Sequence, residues 1–197
     1  TAALGKELAA RGLALIDAPV SGGVTGAEAG TLAIMVGGDD EAAIQRAWPL
    51  LETMGKKLFR AGRLGAGHAA KSINNYLGAT NLIAIAEGLI AGAKFGLDPA
   101  NLLAIINAST GVSGTSQGLF PGQILNRKFG AGFAMALMTK DAGLAAELAR
   151  DVGMNAEVMQ HTAEVWAKAR ERLKGNPDFT EIVKIFEADN GVELVKK

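Results

Sequence analysis

The run from Gly65 to Phe95 constrains this chain more than any other stretch. It opens Gly65-Ala66-Gly67-His68-Ala69-Ala70-Lys71-Ser72-Ile73-Asn74-Asn75-Tyr76 and continues almost wholly apolar to Ala93. Two closely spaced glycines permit a tight turn, and no proline follows until Pro99. One long helix, from Ala66 to about Phe95, is therefore expected. Such a rod is about 45 Å long and has no polar face over most of it, so something must cover it. A membrane span meets the length. Asn81, Glu87, several glycines and amphipathic flanks on both sides instead read as a helix buried in a bundle, with no membrane partner.

The polar head of that helix carries the first candidate chemistry. Lys71 is followed by Asn74 and Asn75, and spacings of three and four put these groups on one side of the helix. A lone lysine near a helix start has a plain reading as a surface cation, slightly disfavoured by the helix dipole. With two amides and small residues around it, a general acid/base is the preferred reading. Gly65-Ala-Gly-His-Ala-Ala also fits the form G-x-G-x-x-A of a dinucleotide turn, but that fingerprint needs a second strand and an acidic residue beyond the helix. Here helix follows helix, so these glycines are read as a tight turn that lets a ligand approach the helix start.

Upstream, the pattern alternates. Thr1 to Arg11 reads as a helix stopped at Gly12. Leu13 to Ala18 reads as a buried strand, expected to be parallel because it follows a helix. Val24 to Gly30 reads as irregular, Thr31 to Gly38 as a strand, Asp39 or Asp40 as the cap of a helix to about Met54, and Lys57 to Arg60 as a strand. This is an α/β unit. The Ser21-Gly22-Gly23 turn after a strand end offers a hydroxyl and backbone N–H groups to a carboxylate or phosphate, unless it is an ordinary loop. Because the first helix lacks a clear cap and begins at Thr1, the chain is expected to be the rear part of a longer protein.

Downstream, only helices are expected. Asp98 caps a helix over Ala100 to Ala108 with Pro99 in its first turn. Ser109 to Gly118 reads as a loop and Phe120 to Ala131 as irregular. Helices follow over Ala134–Val152, Asn155–Leu173 and Phe179–Asp189, then a loosely held tail to Lys197. Lys140-Asp141 within a helix has the plain reading of a surface ion pair, worth little. The domains are thus 1–64, the α/β part, and 65–197, the helical part.

Charge and composition narrow the partners. Lysine plus arginine (20) balances aspartate plus glutamate (20) with no basic stripe, which argues against nucleic acid. There is no cysteine, hence no disulfide or thiolate site, and a reducing cytoplasm suits the chain. Two histidines, His68 and His161, make a protein-held metal centre improbable.

Three ordered motifs carry a resemblance: Asp17-Ala-Pro-Val-Ser21-Gly22-Gly23 with Ala27 and Gly30; Gly65-Ala-Gly67 with Lys71 and Asn75; and Met138-Thr-Lys140-Asp141. In these the chain resembles the β-hydroxyacid dehydrogenases, nearest to 3-hydroxyisobutyrate dehydrogenase and tartronate semialdehyde reductase. The resemblance implies an α/β remnant of a Rossmann-like cofactor domain followed by an all-α helical-bundle domain, mainly α overall. It implies NAD or NADP as cofactor and a small carboxylate substrate; the apolar Tyr76 to Ala93 helix in turn suggests a homo-oligomer, dimer or tetramer. Lys71 would be the acid/base; Ser21, Gly22, Gly23, Asn74, Asn75 and Asp141 would bind or orient the substrate; Phe133 and Lys140 would lie near the nicotinamide. The family's G-x-G-x-x-G motif is not among these residues, so the part present is expected to be inactive by itself. Gly78 stands where the related 6-phosphogluconate dehydrogenases carry a glutamate, which implies oxidoreduction without decarboxylation. Gly114 stands where many relatives carry an aromatic, which leaves the substrate's side group open. The competing reading is a non-catalytic helical dimerisation or scaffold module of the same fold.

Overall fold

The computed structural model describes residues 1–196 and divides into two compact units, one from Thr1 to Asn74 and one from Asn75 onward. The first contains α1 (Ala2–Ala9), β1 (Ile16–Asp17), β2 (Val20–Ser21), α2 (Gly23–Glu28), β3 (Leu32–Gly38), α3 (Glu41–Met54) and β4 (Gly55–Gly62). A single helix, α4 (Ala66–Phe95), begins in the first unit and continues into the second. The second unit adds α5 (Pro99–Asn107), a π-helical segment (Thr115–Ile124), α6 (Met135–Asp151), α7 (Glu157–Arg172), a 3-10 turn (Phe179–Glu181) and α8 (Ile182–Asn190).

In the first unit β3 is the central strand. Leu32, Ile34 and Val36 alternate onto one buried face, where they meet Ile44 and Leu51 of α3. The α3 crossover returns the chain to β4, which pairs parallel to β3. The other edge corrects the expectation for residues 13–18. Only Ile16 and Asp17 are strand, and they run antiparallel to β3. β2 continues in the same register, with Met35 N–H donating to the Pro19 carbonyl at 3.0 Å, so β1 and β2 form one edge strand broken at Ala18-Pro19. The reason is the connection that follows. Only residues 22–31 join β2 to β3, and a parallel return needs a crossover of about a dozen residues or more. That short link is not irregular, as expected from its small residues, but folds into α2.

The second unit is built on α4. Ala79, Leu82, Ile85, Ala86, Leu89 and Ile90 are buried and pack with Phe120, Met135, Trp166, Ile182 and Val183. Burial of each large side chain contributes about 1.5–3 kcal/mol. Among the described residues α4 is the one helix long and apolar enough to cross a membrane by length and composition, and 44% of its most apolar window is buried inside the protein. Asp98 caps α5 by accepting from Asn101 N–H, with Pro99 at the first position, as expected.

Two expectations fail here for a common reason, side chains that replace backbone partners. Ser113 and Ser116 bond each other's backbone N–H groups at 3.1 and 2.8 Å, so the Ser-rich stretch starts a helix instead of remaining a loop through Gly118. That segment widens to π geometry around Pro121, which has no N–H to give, and buries Phe120 and Ile124. The tail is also pinned. Leu194 is fully buried, its N–H donates to Glu187 at 2.7 Å, and Lys196 N–H donates to the Leu125 carbonyl at 3.1 Å. Lys197, the end of the expected loose tail, lies outside the described residues.

Arg127 ties these pieces together. It pairs with the buried Glu187, with Glu193, and with the Leu194 carbonyl, and its guanidinium lies 4.7 Å over the Phe129 ring. Lys184 faces the same ring at 4.4 Å. Arg127 and Phe129 both hold left-handed backbone, at φ 61° and 48°, which costs on the order of 1–3 kcal/mol each and is sustained by these contacts. Replacing Arg127 with alanine leaves Glu187 buried without its cation. We expect a loss of about 3 kcal/mol, read as a lower urea midpoint. An unchanged midpoint would show that the tail, not Arg127, carries the stability.

Candidate functional site

The first unit places its functional groups through one carboxylate. Asp17, at the end of β1, is 3% exposed. Its Oδ1 accepts from Gly65 N–H at 2.7 Å and its Oδ2 from His68 N–H at 2.8 Å, with His68 Nδ1 at 3.6 Å. The start of α4 is therefore capped by a residue far away in sequence, where the helix dipole favours negative charge. Glycines make this possible. Gly65 takes φ +93° in the turn. A Cβ on Gly67 would overlap the Met35 carbonyl and Asp17 Oδ2, and one on Gly37 would overlap Asp17 Oδ1. Of the amides at this helix start, those of Gly65 and His68 are taken by Asp17.

Lys71, half-buried, comes three residues after the fixed His68 amide, so its direction on α4 is set by the Asp17 cap. Asn74 is exposed. Ser21 is half-buried at the end of β2, and Gly22 and Gly23 turn the chain into α2 at φ 139° and 62°. The strand before this turn is antiparallel, so the turn does not lie at the carboxyl end of a parallel strand, where open α/β sheets bind their ligands.

In the second unit Asn75 and Asp141 meet in the interior, 9% and 7% exposed. Asn75 Nδ2 donates to Asp141 Oδ2 at 2.6 Å, and Lys140 Nζ lies 3.0 Å from Asp141 Oδ1. The plain reading of Lys140-Asp141 as a surface pair is corrected: only the lysine is on the surface, and the carboxylate is inside. Phe133 is half-buried just before α6, edge-on to Phe179 at 5.9 Å between centroids. Asp178 holds it there by accepting from Gly132 and Phe133 N–H groups at 2.9 and 3.2 Å, while Phe179 N–H donates to the Phe133 carbonyl. Ser21 to Gly23, Lys71 and Asn74 thus belong to the first unit, and Asn75, Phe133, Lys140 and Asp141 to the second. Among the described residues no group of three His, Cys, Asp or Glu is placed to hold a metal ion.

A family model described as "NAD-binding of NADP-dependent 3-hydroxyisobutyrate dehydrogenase" matches residues 65–186, and one described as "NAD binding domain of 6-phosphogluconate dehydrogenase" matches residues 1–62. The chain belongs to the β-hydroxyacid dehydrogenase family. The 2-(hydroxymethyl)glutarate dehydrogenase of Eubacterium barkeri is 37% identical over 194 residues, 98% of this chain and 64% of the relative. A 3-hydroxyisobutyrate dehydrogenase of Pseudomonas aeruginosa is 42% identical over 168 residues, 82% of this chain and 54% of the relative. The structure of the Mycobacterium tuberculosis 3-hydroxyisobutyrate dehydrogenase with L-serine superposes with a TM-score of 0.84 at 38% identity, over 94% of this chain and 65% of that one. The chain spans less than two thirds of the length of each of these relatives. The fold follows the family: a Rossmann-like α/β part, then a helical domain. The boundary between family models, near residue 64, precedes the boundary between compact units at Asn74 because the first turns of α4 pack with the sheet through Asp17 and Gly67.

Two residues matter more than sequence reasoning assigned. Asp178 follows Asn176-Pro177 as a turn and cap, and nothing in that pattern points to its hold on Phe133. Asp17 was legible only as part of a motif; an acid within an apolar run, directly before Ala-Pro, is the signal that points to it. Replacing Asp17 with alanine removes two charge-assisted hydrogen bonds and should cost about 3 kcal/mol, and Gly67→Ala about 1–3 kcal/mol. Thermal unfolding checks both; a Gly67→Ala protein as stable as wild type would rule out the close approach to Met35.

Proposed function

We propose that this chain provides the substrate- and proton-handling part of an NAD(P)-dependent 3-hydroxyacid dehydrogenase, acting on a small acid such as 3-hydroxyisobutyrate or a 2-hydroxy-3-oxopropionate-type substrate. The observation that carries the reading is Lys71. It is a half-buried cation on a helix whose start is locked by a buried carboxylate, with Asn75 four residues on and tied to Asp141. In this reading Lys71 takes the proton of the substrate hydroxyl, Ser21, Gly22 and Gly23 receive its carboxylate, and Asn74 and Asn75 orient it. A half-buried aromatic ring at Phe133 and an exposed cation at Lys140 suit a flat, anionic dinucleotide, NAD or NADP. That cofactor, when bound, supplies the acceptor for the hydride. Relatives named for 3-hydroxyisobutyrate and for 2-(hydroxymethyl)glutarate support a substrate with a hydroxymethyl group and a carboxylate. A purely structural scaffold fits less well, since a buried Asn–Asp pair is a costly way to join two helices when apolar residues would serve. The absence of cysteine is in keeping with a reducing compartment such as the cytoplasm.

Lys71→Ala in the full-length natural protein should lower kcat for 3-hydroxyisobutyrate oxidation by about 10² or more. Turnover within about tenfold of wild type would end the acid/base role. The reading also includes a homo-oligomer, since Phe95 is 85% exposed and Leu97 and Ile105 lie open nearby in sequence. Sedimentation should then give a mass above that of one chain, and a monomer at all concentrations would remove this part.

A further inference from the structure

The resemblance makes Asp141 a residue that holds substrate. The geometry points to another role: we propose that Asp141 is a positioning residue, which sets which end of the Asn75 amide is presented on the Lys71 face of α4. The inference rests on the dehydrogenase reading for its function, though not for its geometry.

An amide side chain has a donor end and an acceptor end of nearly the same shape, so packing alone does not choose between them. At Asn75 charge chooses. A carboxylate has no hydrogen to give, so only the Nδ2 end can face it, and the contact is a charge-assisted one at 2.6 Å. Reversed, the amide would set its oxygen against Asp141 Oδ2 in an interior where both residues are under a tenth exposed, a repulsion that little water screens. The Asn75 carbonyl oxygen is therefore turned away from α6. Lys140 holds the other carboxylate oxygen at 3.0 Å, which keeps the Asp141 side chain from rotating out of this contact. Asn75 is four residues past Lys71, so both share a helix face. An acceptor of fixed direction on that face suits a hydroxyl or ammonium donor, the two groups that proton transfer from a hydroxy acid involves. Asp141 meets this face at Asn75.

The test uses Asp141→Asn in the full-length natural protein. The substitution keeps volume but offers Asn75 either end of a second amide. The 15N-labelled side-chain amide of Asn75 is followed by NMR, and kcat and KM for 3-hydroxyisobutyrate are measured together. We expect the Asn75 amide proton signals to move, and kcat to fall about tenfold to hundredfold with KM nearly unchanged. Asp141→Glu, which restores the acceptor, should recover part of both. Asp141→Ser serves as the second variant if Asp141→Asn does not fold. Unmoved Asn75 signals would overturn the proposal, and so would a raised KM with kcat retained, which marks a residue that holds substrate. A wild-type protein with no turnover of any 3-hydroxy acid defeats the dehydrogenase reading instead. The amide signals then decide the orientation of Asn75 by themselves.

Discussion

A carboxylate buried at the start of a helix organises the first unit. Asp17 is almost fully removed from water, and its charge is tolerable only because two backbone N–H groups and the positive end of a long helix converge on it. Everything near it is shaped to allow that convergence. Gly37 and Gly67 leave out the side chains that would displace the carboxylate. Gly65 takes a backbone conformation that other residues avoid. The reward is rotational: once His68 N–H is fixed, the direction of Lys71 on α4 is fixed too. Residues that read as a ligand turn are in this sense a docking point between a helix and its own sheet.

The second unit meets a similar demand with other parts. Its core is apolar, and several of the polar groups inside it are matched by specific partners, while Asn107 Oδ1 and Trp166 Nε1 are buried without one. Asn75 meets Asp141, Asp178 collects the amides before Phe133, and Glu187 takes both Arg127 and the tail. Each match fixes a direction that packing of Leu, Ile and Ala would leave loose. Two of the three fix residues that the family resemblance places at the site.

Much of this was legible from residue order alone. The long helix, its start after Gly65, and the Asp98-Pro99 start of α5 follow from local rules that involve neighbours in the chain. So does the strand–helix–strand order of β3, α3 and β4, because periodicity and cap residues act over a few positions. The Ser113–Ser116 helix start and the pinned tail were not legible. Ser and Gly favour loops by composition, and only bonds to residues that share their surroundings make these segments regular. Strand direction at β1 was missed for a different reason: it depends on the length of the link to its partner, not on the strand's own residues.

The sequence by itself determined which residues could do chemistry: one lysine with amides at helical spacing, a Ser-Gly-Gly turn, and a Lys-Asp pair in a helix. Only the tertiary structure decided how they are held. It put Asp17 at the head of α4, and it buried Asp141 against Asn75 while leaving Lys140 outside. The physical reason is range. Spacing along a helix is a local property, whereas the cost of a buried charge is settled by whichever distant donor the fold brings to it.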